Sequence, residues 1–256
     1  GGYYHQIKSG KLSTLVTGDI YSKGSWGLAN TTTYKVRYKY NGRFSLNYRN
    51  VVQGEKLFPN YSKTKEFFVR WNHTNDPKFN PGSSFRALVN AGTSSNFRND
   101  YNNISTANYL SNTFNSNIAW SKQFKGKISS NLSSNLRHSQ NSNTGIMIFT
   151  IPEISYNINR FYPFKMLRKS TINKNFIHEI INQTNVNYQI NTKNEFSLPG
   201  ENLFENSLNS ILNQSKNGLK HNINASSAIK LFKKNVTINP AYQLSSLWYL
   251  EQINKY

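Results

Sequence analysis

Strict alternation of apolar and polar residues recurs along the whole chain and limits what it can fold into. Tyr34, Val36 and Tyr38, for example, alternate with basic residues at 35, 37 and 39. A period of two places successive side chains on opposite faces of a β-strand. The pattern therefore predicts an all-β protein whose sheet has an apolar, aromatic face and a polar, basic face.

The alternation predicts about twelve strands, most of them longer than the strands of soluble sheets. One strand with its connection takes roughly 20 residues, which suits strands that cross a membrane in roughly 9 to 11 residues. The predicted fold class is an all-β, antiparallel up-and-down transmembrane β-barrel, of which this chain supplies about twelve strands. The strands are predicted near 1–8, 11–22, 27–39, 43–52, 64–74, 85–95, 112–123, 127–140, 144–160, 175–198, 216–233 and 236–252.

Connections between the predicted strands alternate in length, as in outer-membrane barrels with short periplasmic turns and long external loops. The short link at 141–143 and the long stretch at 161–174 depart from this alternation. Apolar residues at nearly helical spacing predict a short helix within the last long connection, over 201–214. Short connections are predicted near 9–10, 40–42, 124–126 and 233–235, and long ones near 53–63, 96–111 and 199–215.

The hairpin around Asn41 and Gly42 has a predicted register. A two-residue turn would mix the two faces, whereas a three-residue loop over 40–42, with Gly42 in the left-handed conformation, keeps apolar side chains together. The three-residue loop is therefore the expected one. It pairs Tyr38 with Phe44, Val36 with Leu46 and Tyr34 with Tyr48.

Composition argues against most kinds of catalytic or metal site. The chain has no cysteine, and its five histidines show no metal-ligand spacing, so we expect no enzyme, no metal and no cofactor. Sequence spacing alone does not exclude a lipase built on a β-barrel, because its catalytic serine and histidine would come together only in the folded protein. The net charge of +20 comes from Lys and Arg residues scattered singly, which disfavours nucleic-acid binding.

Two sets of residues are predicted to have functional roles, one set on each face of the sheet. Aromatic residues near strand ends are expected to form girdles at the lipid headgroups, and basic residues are expected to face a water-filled lumen. Each basic residue taken singly fits a role in solvating that lumen. The predicted girdle is Trp26, Tyr34, Tyr48, Trp71, Trp120, Tyr242 and Trp248, and the predicted lumen residues are Lys35, Arg37, Lys39, Arg43, Arg49, Arg70, Arg86 and Arg137.

Longer strings resemble successive segments of one family. The segment Trp-Asn-His-Thr-Asn-Asp-Pro-Lys at 71–78 is among them, together with 18–27, 38–42, 136–141, 151–165 and 217–221. Over nearly its whole length the chain resembles the barrel of LptD, the lipopolysaccharide-assembly protein family of the outer membrane, in a divergent branch. The resemblance implies a very large barrel in the bacterial outer membrane that receives lipopolysaccharide from periplasmic bridge proteins and holds a plug lipoprotein in its lumen.

The resemblance also implies that residues 1–256 form an interior part of the barrel domain. The family's periplasmic jelly-roll domain is not expected in this sequence, nor are the cysteines that some members use to tie that domain to the barrel. The predicted function is a translocon that inserts lipopolysaccharide into the outer leaflet, with the basic residues along the path of its phosphates. The alternatives are a passive porin or other transporter barrel, and a soluble or surface β-protein that binds acidic polymers.

Overall fold

The computed structural model describes residues 1–7, 10–93, 113–141, 143–167, 176–199, 215–231 and 235–249. Over these residues the chain is almost entirely antiparallel β-structure. Twelve strands form one sheet in the order β1 to β11 followed by β14, and β12 and β13 form a separate two-stranded sheet. Each strand of the large sheet therefore lies beside the next one along the chain, with β14 next to β11. The all-β, antiparallel up-and-down prediction is confirmed.

The strands have lengths suited to the predicted class, many of them nine residues or more. The first seven are β1 (Gly2–Ile7), β2 (Leu12–Ile20), β3 (Trp26–Val36), β4 (Tyr40–Gln53), β5 (Ser62–Asn75), β6 (Ser83–Gly92) and β7 (Thr113–Phe124). The remaining seven are β8 (Ser130–Asn141), β9 (Ile146–Phe161), β10 (Asn185–Pro199), β11 (Lys216–Ser226), β12 (Ile229–Leu231), β13 (Val236–Ile238) and β14 (Ala241–Tyr249).

Three predicted strands differ in the C-terminal half of the chain. The strand predicted over 175–198 begins only at Asn185, because helix α2 (Phe176–Gln183) precedes it; a shorter helix, α1 (Pro163–Leu167), follows β9. The strands predicted over 216–233 and 236–252 each break in two, and their inner pieces are the β12–β13 hairpin. The connection predicted at 233–235 therefore joins that small hairpin. The helix predicted over 201–214 lies outside the described residues.

The β3–β4 hairpin has a three-residue loop, but the predicted position is wrong. The loop is Arg37, Tyr38 and Lys39, so that Val36 pairs with Tyr40 and Tyr34 with Gly42. The amide of Lys39 donates to the carbonyl of Val36 at 3.0 Å, and Tyr38 takes the left-handed conformation expected of Gly42, with φ of 60°. Because the register moves by six residues, an even number, the residues that remain on β3 and β4 still share the faces predicted for them.

The chain divides into two compact units. Unit 1 comprises 1–120, 135–151 and 195–215, and unit 2 comprises 121–134, 152–194 and 216–256. Among the described residues, the buried apolar side chains all belong to unit 1, and polar side chains are buried beside them, including Glu66 and Gln140. Buried apolar residues are few because most strand residues keep partial exposure. The five are Phe68, Ala87, Phe114, Met147 and Leu198.

Candidate functional site

The pairing register of β3 to β6 sorts the side chains of unit 1 onto two faces. Cross-strand partners lie on the same face, so each pair extends that face by one strand. One face, called the aromatic face, carries Trp26, Leu28, Tyr34, Tyr40, Phe44, Leu46, Tyr48, Phe67, Val69, Trp71, His73 and Val89. The other, called the basic face, carries Lys35, Arg43, Arg49, Glu66, Phe68, Arg70, Arg86 and Asn90.

Aromatic side chains stand at both ends of the aromatic face. At one end, the Trp26 and Tyr48 rings have centroids 5.5 Å apart. Tyr34 lies eight residues further along β3, which is about 27 Å at roughly 3.4 Å per residue. Between them lie mainly aliphatic side chains, of which Leu28 and Leu46 are more than a third exposed, together with Thr32 and Asn30. Two aromatic ends enclosing a mainly apolar band resemble the arrangement of aromatic girdles in membrane barrels.

The second aromatic end is held by a directed chain of hydrogen bonds. Trp71 Nε1 donates to the Tyr34 hydroxyl at 2.8 Å, and that hydroxyl lies 2.8 Å from His73 Nδ1. His73 Nε2 lies 2.8 Å from Asn75 Oδ1, which can only accept. These contacts fit the tautomer with the proton on Nε2, in which Nδ1 accepts from the Tyr34 hydroxyl. The polar atoms of these rings thereby form hydrogen bonds with one another on a mainly apolar face.

Gly42 makes room for this network. It pairs with Tyr34 on one side and His73 on the other. A Cβ atom at position 42 would overlap the Tyr34 ring and stand 2.6 Å from the carbonyl oxygen of Asn72. The glycine therefore allows the Tyr34 ring to lie across β4 and reach the next strand, an arrangement known as aromatic rescue. This packing, rather than turn formation, accounts for the glycine in the sequence.

On the basic face, three charges form a diagonal row across three strands. Lys35 pairs with Asn41, two residues before Arg43, and Arg43 pairs with Asn72, two residues after Arg70. Diagonal neighbours in such a sheet lie about 7–8 Å apart. All three basic side chains are exposed, and Arg70 Nε also donates to Asn90 Oδ1 at 3.3 Å. Arg86, on β6, shares the face.

Arg49, on the basic face, forms an ion pair. Its guanidinium lies 3.4 Å from Glu66, whose side chain is fully buried while that of Arg49 is 20% exposed. A carboxylate removed from water requires a charged or hydrogen-bonding partner. Nothing in the sequence singled out Glu66 beforehand, although a carboxylate opposite an arginine on the predicted basic face was the available signal.

Arg37 and Lys39 are not strand residues, contrary to the predicted register. They belong to the exposed loop of the β3–β4 hairpin, where the Arg37 guanidinium lies 4.7 Å from the Tyr38 ring centroid and Lys39 Nζ 5.7 Å from that of Phe79. Positive charges stacked on aromatic rings form cation–π contacts. The structure therefore separates these two residues from the row on the strands.

The remaining predicted residues lie on later strands. Trp120 is half-buried on β7, and Arg137 is exposed on β8. In unit 2, Tyr242 and Trp248 are both largely exposed and share one face of β14. The Trp248 ring has its centroid 5.8 Å from that of His221, which also contacts the Tyr188 hydroxyl. This face of unit 2 thus repeats the Tyr–His–Trp grouping found on the aromatic face of unit 1.

No helix in the described part of the chain is long and apolar enough to cross a membrane. Within the same residues, no group of three or more His, Asp or Glu side chains is placed to hold a metal ion.

Comparison with known proteins supplies the family. A family model described as LptD protein matches residues 1–256. The chain belongs to the LptD family. No curated protein matches it. LptD proteins reside in the outer membrane of Gram-negative bacteria and act in lipopolysaccharide transport and outer-membrane assembly; theirs is not an enzyme family. The predicted family and location are confirmed.

Proposed function

We propose that residues 1–256 form part of the barrel wall along which this LptD protein moves lipopolysaccharide into the outer leaflet. One observation carries the proposal: the same strands present a band of apolar residues between two aromatic ends on one face and a row of basic residues on the other. The first arrangement suits acyl chains bounded by headgroups. The second suits a water-filled path for anions.

The aromatic face is proposed to contact the membrane. Trp26, Leu28 and Leu46 are more than a third exposed, and burying such side chains against acyl chains contributes about 25 cal/mol per Å² of apolar surface. Tyr and Trp place their polar atoms at the headgroup level when they stand at the ends of a spanning segment. The hydrogen-bonded Tyr34–Trp71–His73 group meets the further requirement that polar atoms near hydrocarbon have partners.

The basic face is proposed to guide the phosphates of lipopolysaccharide. Exposed like charges about 7–8 Å apart repel each other by roughly 0.5 kcal/mol in water. A phosphate between two of them replaces this repulsion with attraction, and arginine can grip it through two parallel hydrogen bonds. Lys35, Arg43 and Arg70 therefore offer successive, individually weak contacts, which allow an anionic headgroup to move along rather than stay bound.

The two outer strands of the sheet point to a larger barrel. β1 and β14 stand at the two ends of the strand order. In hydrocarbon, each unpaired backbone group costs several kcal/mol, so a membrane-spanning sheet has to be closed. We propose that further strands of the whole protein pair with these edges. A barrel of that size leaves room for a plug lipoprotein and an entry for periplasmic bridge proteins, the partners that the family role implies.

Depletion and complementation of the whole protein test this function. Depletion is expected to leave newly made lipopolysaccharide in the periplasm and inner membrane, as measured by surface labelling and membrane fractionation. Full-length protein carrying Lys35→Gln, Arg43→Gln and Arg70→Gln should restore surface delivery at a reduced rate. The matched control is Lys63→Gln with Lys65→Gln, two exposed lysines on the opposite side of β5. Surface lipopolysaccharide that stays unchanged on depletion would reject the function.

A further inference from the structure

Two turns of unit 1 carry basic and aromatic residues that the proposed path along the strands does not use. Arg37, Tyr38 and Lys39 form the turn between β3 and β4. Lys78 and Phe79 lie in the connection from β5 to β6, over 76–82. These five residues are called the turn cluster. All five are exposed, Tyr38 to 54% and Phe79 to 49%, so both rings are available for contact with a partner.

Hydrogen bonds hold the two turns together. The amide of Asp76 donates to the carbonyl of Lys39 at 2.8 Å, which joins one turn to the other. Within the second turn, a carboxylate oxygen of Asp76 accepts from the amide of Lys78 at 2.8 Å. The carbonyl of Asp76 accepts from the amide of Phe79 at 3.0 Å. The two turns therefore form one surface, in which residues 40 positions apart in the chain are neighbours.

Positive charges lie close to both rings of the turn cluster. The Arg37 guanidinium is 4.7 Å and Lys78 Nζ is 5.8 Å from the centroid of the Tyr38 ring. Lys39 Nζ is 5.7 Å from that of Phe79. Within the part of the chain that the structure describes, none of these three cations forms an ion pair with a carboxylate. Cation–π contacts at exposed sites are weak, so the cluster keeps most of its positive charge and is complementary to an anion.

The position of the turn cluster indicates the kind of anion. The cluster lies directly beyond the second aromatic end of the aromatic face, where Tyr34, Tyr40 and His73 stand. Arg37 comes three residues after Tyr34, at most about 10 Å along the chain. Aromatic rings at the end of an apolar band mark the headgroup level of a bilayer, and basic residues just beyond such a band are attracted to anionic lipids. A lipid phosphate fits this position better than an acidic protein segment does.

The lengths of the connections indicate the leaflet. Among the connections of β1 to β7, the two longest are 54–61 and 93–112, and both lie at the opposite end of the sheet from the turn cluster. Outer-membrane barrels have their long loops outside the cell and their short turns in the periplasm. The turn cluster is therefore expected at the inner leaflet of the outer membrane, which consists of phospholipid.

We propose that the turn cluster binds the phosphate of an anionic phospholipid of the phosphatidylglycerol type in that leaflet. Arg37 offers parallel N–H donors to the phosphate oxygens, and the two lysines add ammonium donors. The backbone of Tyr38 supports a role for its ring, because a φ of 60° is costly for a large side chain and would suit glycine or asparagine better. The inference rests on the proposed function, since it requires the aromatic face to lie against the bilayer.

Photocrosslinking from within the turn cluster tests which lipid it binds. Full-length protein with Phe79→benzoylphenylalanine is reconstituted into phosphatidylethanolamine vesicles, and the exposed site accepts the larger ring. Radiolabelled phosphatidylglycerol, phosphatidylcholine and lipopolysaccharide are added separately in equal amounts. A basic residue near a membrane surface contributes about fivefold in affinity, so three of them should give at least about tenfold more adduct with phosphatidylglycerol than with phosphatidylcholine. Equal yields from these two lipids, or a higher yield from lipopolysaccharide, overturn the proposal.

Charge variants locate the preference in the turn cluster. Arg37→Gln with Lys39→Gln should lower the ratio of phosphatidylglycerol to phosphatidylcholine adducts at least about fivefold. The matched control is Lys63→Gln with Lys65→Gln, which removes two charges from exposed lysines at the other end of β5 and should leave the ratio unchanged. Circular dichroism checks that each variant is folded. A ratio that the first pair does not lower, or that both pairs lower equally, overturns the proposal.

Irradiation of cells that make the photoreactive protein tests the site in its own membrane. Mass spectrometry should identify an adduct with phosphatidylglycerol. Protein adducts without a phospholipid adduct would assign the turn cluster to a protein partner and overturn the proposal. If no lipid preference is found while depletion still blocks surface delivery, the inference fails and the proposed function stands. If phosphatidylglycerol crosslinks as expected but depletion has no effect on delivery, the function fails instead.

Discussion

Replacing Tyr34 by Phe removes one hydroxyl that joins three side chains on the aromatic face. That hydroxyl lies 2.8 Å from Trp71 Nε1 and 2.8 Å from His73 Nδ1. A neutral hydrogen bond contributes about 0.5–1.5 kcal/mol, and a donor left without a partner costs about 1–3 kcal/mol. Because both partners are only part-buried and can regain some solvation, we expect Tyr34→Phe to lower the free energy of unfolding by about 2 kcal/mol.

Tyr40→Phe is the matched control. The Tyr40 ring packs against the same group, with centroids 6.1 Å from Tyr34 and 5.8 Å from His73. Among the described residues, its hydroxyl has no hydrogen-bond partner, so we expect its removal to change stability by less than about 0.5 kcal/mol. The comparison holds ring packing constant and isolates the hydroxyl at position 34.

The stabilities of Tyr34→Phe and Tyr40→Phe are compared by unfolding the full-length protein in phospholipid vesicles with guanidinium and following circular dichroism. A destabilised variant should unfold at a lower denaturant concentration with an unchanged slope. Trp71 fluorescence provides a local readout, because its indole N–H loses its partner only in Tyr34→Phe. Equal stability of the two variants would refute the reasoning that this hydrogen-bonded group secures the aromatic face.

Two further substitutions test the packing of unit 1. Glu66→Gln should destabilise the protein by about 2 kcal/mol, less than the 3–5 kcal/mol typical of breaking a fully buried ion pair, because Arg49 is partly exposed. Glu55→Gln on the surface should have almost no effect in the same unfolding assay. Equal unfolding midpoints for the two variants would show that stability does not depend on the Arg49–Glu66 pair. Gly42→Ala should cost about 1–3 kcal/mol through overlap with the Tyr34 ring, while Gly218→Ala, whose Cβ would meet only Tyr249 at an ordinary 3.8 Å, should be tolerated. A tolerated Gly42→Ala would mean that the ring can move aside.

The alternation in the sequence was sufficient to predict the fold class, the strand order and the residues that share each face of β3 and β4. It was insufficient for the register. Asn41 and Gly42 have the composition of a turn, yet Gly42 serves the Tyr34 ring two positions inside β4, and the turn uses Tyr38 instead. A glycine that packs under a ring on the neighbouring strand and a glycine in a turn look the same in a linear sequence.

Helix α2 has a signal in the sequence. Phe176, Ile177, Ile180 and Ile181 recur at helical rather than alternating spacing, so the strand predicted from 175 onward conflicted with its own first residues. A polar cavity in unit 2 had no such signal. Asparagines from β9, β10 and β11 line it together with Gln243 of β14, and in a chain rich in asparagine nothing marks the few that meet. Only pairing between β11 and β14, across the β12–β13 hairpin, brings Asn224 to Gln243.

The outer strands also determine how residues 1–256 should behave when they are produced alone. All six residues of β1 and eight of the nine in β14 are exposed. Without the further strands that we propose to pair with them, both edges would offer rows of unpaired backbone groups to any extended segment. We therefore expect the isolated segment to aggregate in detergent-free buffer rather than to insert into a bilayer as a single copy.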